Sequence, residues 1–245
     1  MRIATLTGIP IRLHWSFFVL VAFYGITALA SQGFLGLVET IVLMGGLFGS
    51  VVLHELGHAL AARSFGIQTA HITLYPFGGI AAIKGLPEDP RQEAIIAVAG
   101  PAVNAALFVL FGGLWLALGG WWLGIMAVIN AMMGVFNLVP AFPMDGGRIF
   151  RAALTPSLGW ERASRVAILV GRTFAVLFLV AALWFGQVSL ALVGAFLLFA
   201  TWAEARNVKR VVALRAWQER MRQTSSRLFD GQGPTSTYRP RWRLD

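Results

Sequence analysis

His54-Glu55-Leu56-Gly57-His58 sets two imidazoles four residues apart, with a carboxylate directly after the first. On a helix, positions i and i+4 share a face. His54 and His58 can therefore hold one Zn²⁺ ion at about 2.0–2.1 Å. A water on such an ion has a pKa near 7, against about 15.7 in bulk. Glu55 is placed to take its proton and pass it to a leaving amine. An H-E-x-x-H pattern also arises by chance in soluble proteins. Here it lies inside an apolar stretch, where a bare carboxylate costs about 2.5–3.5 kcal/mol. A shared metal ion gives all three polar residues a reason to be there.

A catalytic zinc takes three protein ligands and keeps one position open. The chain has no cysteine, so the third ligand must be His, Asp or Glu. His14 stands at the entrance of the first apolar stretch and His71 in a strand-like segment. Glu39 is near the wrong end of its stretch, and Glu93 is near an inner end. Asp145 remains, in Asn137-Leu138-Val139-Pro140-Ala141-Phe142-Pro143-Met144-Asp145-Gly146. Zn²⁺ with ionised Glu55 and Asp145 is neutral overall, which lowers the cost of burial. The competing reading of Asp145 is a loop residue capping a helix that begins near Gly146.

The elements that must position these residues are apolar. Of 245 residues 57% are hydrophobic and 13% charged, and the mean hydropathy is +0.70. A soluble domain carries about twice that share of charge. Six stretches suit transmembrane helices of roughly 20 residues: Trp15 to Ala30, Leu37 to Ala62, Ala94 to Leu118, Trp121 to Val139, Val166 to Phe185, and Leu190 to about Ala205. The connections Ser31–Gly36, Gly119–Trp122 and Gly186–Ser189 carry no Lys or Arg. Basic residues collect in the alternate segments, which places both termini in the cytoplasm. The net charge of +9 is thus read as membrane topology, not nucleic-acid binding. Glu55 precedes Arg63 by eight residues, about 12 Å along a helix, so water must reach the motif through a polar cavity.

The expected fold is an all-α polytopic membrane protein of about six spans with a small cytoplasmic-side sheet. Ile67 to Ile83 alternates apolar and polar residues as a strand does, broken at Pro76 and Gly78-Gly79. Ile3 to Leu13 also reads as extended. Residues 1–205 form the core, 206–222 a basic amphipathic helix on anionic lipid, and 223–245 a disordered tail.

The order of motifs resembles the site-2 protease family of intramembrane zinc metalloproteases. That family pairs H-E-x-x-H with N-x-x-P-x-x-x-x-D-G, matched by Asn137, Pro140, Asp145 and Gly146. Its G-P-x-x-N is matched by Gly100, Pro101 and Asn104, and its strand with a Phe-Gly-Gly turn by Phe77, Gly78 and Gly79. Gly8 to Trp15 is also typical of it. The resemblance covers about residues 1–205. It implies a zinc-dependent intramembrane endopeptidase with ligands His54, His58 and Asp145 and base Glu55. Asn104 is then either an oxyanion donor or an interhelical hydrogen-bonding residue. Asn130 has no family counterpart and reads as packing. Asn137 and Pro140 shape the chain entering Asp145.

Cleaving a helical substrate exposes its backbone groups, which must be re-paired in lipid. Addition to a strand edge would do this. Thr69 to Tyr75, with Thr73 and Leu74 and the Phe77-Gly78 turn, is the expected substrate strand; the competing reading is a plug over the cytoplasmic mouth. The implied partners are the bilayer and a membrane-anchored protein, such as a transcription-factor regulator or a leftover signal peptide. The compact six-span form suggests a prokaryotic plasma membrane, with no PDZ or cystathionine-β-synthase-type regulatory domain. The alternative function is a non-catalytic adaptor that binds membrane helices around a structural metal. Glu55 argues against it, because an adaptor needs no base. A metal transporter would need polar residues in several spans.

Overall fold

The computed structural model describes residues 1–229 except 77, 86 and 88. Phe77 and the tail from 230 onward thus lie outside the described residues. The order is β1 (Arg2–Leu6), β2 (Ile9–Leu13), α1 (Trp15–Ser64), β3 (Gln68–Tyr75), β4 (Gly78–Lys84), α2 (Pro90–Leu118), α3 (Trp121–Asn137), α4 (Asp145–Leu158), α5 (Trp160–Phe185) and α6 (Val188–Phe229).

Four helices, α1, α2, α5 and α6, are long and apolar enough to cross a membrane. Together with the family comparisons below, this makes the chain an integral membrane protein. Helix α1 contains two of the apolar stretches. It is interrupted at Gly33, whose φ of 71° and ψ of −162° are not helical, a conformation glycine adopts without a Cβ penalty. The two halves fold back on each other. The Phe17 and Phe48 rings meet edge to face at 4.6 Å, and Leu37 lies over Gly25. His14 opens α1, its side chain accepting from the Ser16 backbone N–H.

The sheet has the order β1-β2-β3-β4. Strands β2 and β3 are parallel, which requires a crossover between them; here the crossover is the whole α1 hairpin. The sheet rests on the second half of α1. Ile9, Ile11, Ile72 and Leu74 pack with Leu56 and Ala59 in one buried cluster. Each large member contributes roughly 1.5–3 kcal/mol on burial. One face of the motif helix is thereby fixed against the sheet.

Three expectations change. Strand β3 is not a free edge: Thr73 pairs with Arg12 and Ile80, and Leu74 with Leu13 and Gly79. The open edge beside the motif is β4. Second, the fourth apolar stretch ends earlier than read: α3 stops at Asn137 and has 17 residues, at the lower end of what spans a membrane. Its chain turns early into α4, which keeps Asp145 level with the motif. Third, 206–222 is not a separate surface helix but the continuation of α6. Val208 is buried against Phe142, Ala167 and Ile168, with Trp160 and Val212 packed around them. Those apolar side chains are used against α4 and α5 rather than against lipid.

Candidate metal centre

Helix α2 holds both imidazoles with three residues spaced one turn apart. Ile96 O accepts from His58 Nδ1 at 2.7 Å, and Asn104 Oδ1 accepts from His54 Nδ1 at 2.5 Å. Between them, Gly100 leaves the room the rings occupy: a Cβ there would stand 2.2 Å from His58 Nε2 and 2.7 Å from His54 Cε1. Gly57 does the same from the other side, since its Cβ would lie 2.7 Å from Ala99 O. The two helices therefore touch backbone to backbone at the site. With each Nδ1–H donated backward, each Nε2 lone pair points forward.

Asp145 arrives from the first turn of α4. That turn is laid on the loop before it: a Cβ on Gly146 would sit 2.2 Å from Val139 O and 2.3 Å from Leu138 O. Asp145 Oδ2 is 3.3 Å from His54 Nε2 and 3.1 Å from His58 Nε2, and the two Nε2 atoms are 3.1 Å apart. A tetrahedral ion bound at about 2.0–2.1 Å separates its ligands by roughly 3.3–3.4 Å, close to this triangle. Asp145 Oδ2 is also buried without a hydrogen-bond partner, as an atom reserved for a cation would be. Among the described residues, these three form the one group of His and acidic side chains that could hold a metal ion.

The centre forms part of the wall of a cavity of about 530 Å³, which Glu55, Asn137 and Arg148 also line. Gly79 of β4 backs Glu55, where a Cβ would meet Glu55 Cγ at 2.6 Å. Gly78, Gly79, Ile80 and Ala81 bring the free sheet edge into the cavity. Asn137 donates to Met133 O at 2.9 Å, closing the end of α3. Pro140 is exposed in the loop that follows. Pro101 lies within α2, next to Gly100.

Asn104 is not an oxyanion donor. It is fully buried behind His54, with its Nδ2 donating to Asn130 Oδ1 at 2.9 Å. Asn130 donates in turn to Ser50 Oγ at 3.1 Å and to Met126 O at 2.9 Å. A polar chain thus runs from the ligand through α2 and α3 and back to α1. Reading Asn130 as packing missed this. The available signal was an amide in each of two apolar stretches, since buried amides require partners.

Two further charges were not foreseen. Arg148 Nη1 stands 3.8 Å from Asp145 Oδ1 and supplies a cation to the cavity. Arg151, buried beneath it, donates through Nε to Glu93 Oε1 at 2.9 Å and through Nη1 to Glu204 Oε1 at 3.1 Å. It joins α2, α4 and α6 and lies 4.8 Å from the Phe142 ring centroid. Glu93 is therefore committed to Arg151 and not to the metal. His14 and His71 lie outside the metal-ligating group.

The family model for peptidase family M50 matches residues 42–120 and 121–181. The chain belongs to peptidase family M50, the site-2 protease family. It is 35% identical over 220 residues to a zinc metalloprotease of Methanocaldococcus jannaschii, a match covering 85% of this chain and 61% of that protein. The solved structure of a site-2 protease from the same organism matches with a TM-score of 0.63 and 33% identity, over 83% of this chain and 94% of that one. The chain spans about three fifths of the length of the curated M50 relatives it matches first.

Proposed function

We propose that this chain is a zinc-dependent intramembrane endopeptidase. The observation that carries the reading is the convergence of His54 Nε2, His58 Nε2 and Asp145 Oδ2 beside Glu55 on one cavity wall. His54, His58 and Asp145 would hold the zinc. When bound, it would acidify a water and polarise the scissile carbonyl. Glu55 accepts the proton of the attacking water and returns it to the leaving amine. Arg148 gives the cavity a positive charge where negative charge develops on the substrate. The Asn104–Asn130–Ser50 chain fixes the His54 ring, and Ile96 O fixes the His58 ring.

The substrate is a membrane-anchored protein cleaved in or near a transmembrane segment. Its unwound backbone pairs with the edge of β4, the strand that faces the cavity and, among the described residues, has no partner on its outer side. The basic connections support a topology with both termini in the cytoplasm.

The test is cleavage of a reporter transmembrane peptide in detergent micelles, with bound zinc measured alongside. Glu55→Gln should keep its zinc and lose about 10²- to 10⁴-fold in rate. Wild-type protein that binds zinc yet cuts no member of a substrate panel would favour the adaptor reading. Loss of zinc from neither His54→Ala nor Asp145→Asn would refute the ligand set.

A further inference from the structure

A second cavity, of about 910 Å³, adjoins the cavity of the metal centre. Ile80, Ala81, Pro143, Arg148 and Phe196 line both, so the two are continuous. One wall is the end of β4, and the wall facing it is α6. Both walls lead away from the metal. Gly79 lines only the metal cavity and Gly85 only the second one, and an extended chain between them advances roughly 20 Å. On α6, Phe196 lines both and Val211 only the second, about 22 Å further along the helix. The second cavity is thus a groove beside the β4 edge that has no partner among the described residues. A strand added to that edge lies in it.

The lining selects hydrocarbon. Ile96 and Phe142 are buried at the bottom of the groove, and Phe196 and Phe199 stand exposed on α6. Ala200 and Ala203 follow on the same wall, and their short side chains leave a recess. The charges along the groove are already matched within the protein. Arg151 is paired with Glu93 and Glu204, and Arg148 stands beside Asp145. No charge in the lining is left over to choose a charged ligand.

We infer that this groove is a substrate subsite for a large apolar side chain (leucine, methionine or phenylalanine) roughly three to six residues from the cut. The inference rests on the protease reading and on strand addition to β4. The cut falls near Gly79, because Gly79 backs Glu55. From there the groove follows β4 past Ile80 and Ala81 to Gly85. Side chains of an extended chain alternate between two faces, so every second substrate residue points into the groove. In the other direction β4 ends at Gly78, one residue from the cut. The preference therefore falls on one side of the scissile bond.

The experiment measures kcat/KM in detergent micelles for reporter transmembrane peptides. Each carries alanine or phenylalanine at one position, out to about six residues on either side of the cut. For the wild type, phenylalanine should raise kcat/KM about 10- to 100-fold over alanine, the range for filling an apolar pocket, at alternate positions on one side only. Ala203→Phe fills the recess and should bring that ratio to within about threefold of unity. Leu192→Phe adds the same ring to α6 outside both cavities and should keep the ratio. Bound zinc and circular dichroism report the fold of each variant. Cleavage by the wild type with a ratio near unity at every position overturns the inference and leaves the protease reading standing; it would mean that lipid or water fills the groove. A preference on both sides of the cut, or an equal collapse in Leu192→Phe, overturns it as well. Failure to cut any peptide refutes the protease reading itself, and this inference with it.

Discussion

Replacing Gly100 with Ala should disable the metal centre while leaving its three ligands untouched. The added methyl would stand 2.2 Å from His58 Nε2, 2.5 Å from His58 Cε1 and 2.7 Å from His54 Cε1. Carbon atoms settle at about 3.5–4.0 Å, so something must retreat by roughly 1 Å. The rings are held from behind by hydrogen bonds of 2.5 and 2.7 Å to Asn104 and Ile96 O. If a ring swings away, it leaves a buried polar group unsatisfied, at about 1–3 kcal/mol. If helix α2 withdraws instead, it loses the backbone contact of Gly57 with Ala99. Overpacking itself costs about 1–3 kcal/mol. The sum, about 2–6 kcal/mol, weakens zinc binding by at least roughly 30-fold at 1.4 kcal/mol per decade. Competition against a chromogenic chelator in detergent measures this. Gly113→Ala is the control on the same helix, because a Cβ there meets nothing within 4 Å; its zinc affinity should be unchanged. A Gly100→Ala variant that binds zinc within threefold of the wild type would refute the packing of the imidazoles on α2.

Other perturbations separate positioning from chemistry. Asn104→Ala removes the acceptor of His54 Nδ1 and should cost about 10- to 100-fold in zinc affinity. Asn130→Leu, one link further back, should cost less than Asn104→Ala in the same titration; a larger loss would break the proposed order of the chain. Arg151→Met leaves Glu93 buried without its cation and should destabilise the protein by about 3–5 kcal/mol, read as a lower midpoint in denaturant. Adding Glu93→Gln and Glu204→Gln to Arg151→Met should recover part of that loss, and no recovery would show that packing, not charge, was removed. At β4, successive N–H groups point to opposite edges, so either Ile80 or Ala81 donates away from β3. Proline at the outward position should lower kcat/KM for a peptide substrate by about tenfold with zinc retained, whereas proline at the inward position should destabilise the sheet. Unchanged turnover in both variants would remove β4 from substrate binding.

The buried charges illustrate how this molecule tolerates polarity at membrane depth. Asp145 Oδ2 faces two imidazole nitrogens that would share a cation with it, and Glu93 is opposed by Arg151. A buried pair of this kind adds little net stability, yet removing one member is expensive. Arg151 therefore acts as a register pin. It fixes α4, and hence Asp145, relative to α2, which carries the groups that orient the histidines.

The sequence alone pointed to the metal-ligating set and determined the class of fold. The spacing of His54, Glu55 and His58 is a property of one helix turn, so it is legible without tertiary information. The acid completing the set could be found by elimination, because an apolar chain without cysteine offers so few ionisable residues. Apolar runs and the placement of Lys and Arg are likewise local properties, and they marked the helices. What the sequence could not show depends on which neighbours a residue acquires. Thr73 and Leu74 look like an exposed edge because alternation reports two faces of a strand and says nothing about its two sides; pairing by β2 from across the α1 hairpin made β4 the edge instead. Asn104 faces α1 rather than the cavity because Ile96, Gly100 and Asn104 share one stripe of α2, and only helix packing decides which surface that stripe meets. Asn130 read as packing, and Arg151 as one more basic residue, for the same reason. Their roles lie in partners 26 and 58 residues away, a distance that local periodicity does not encode but that burial of polar groups enforces.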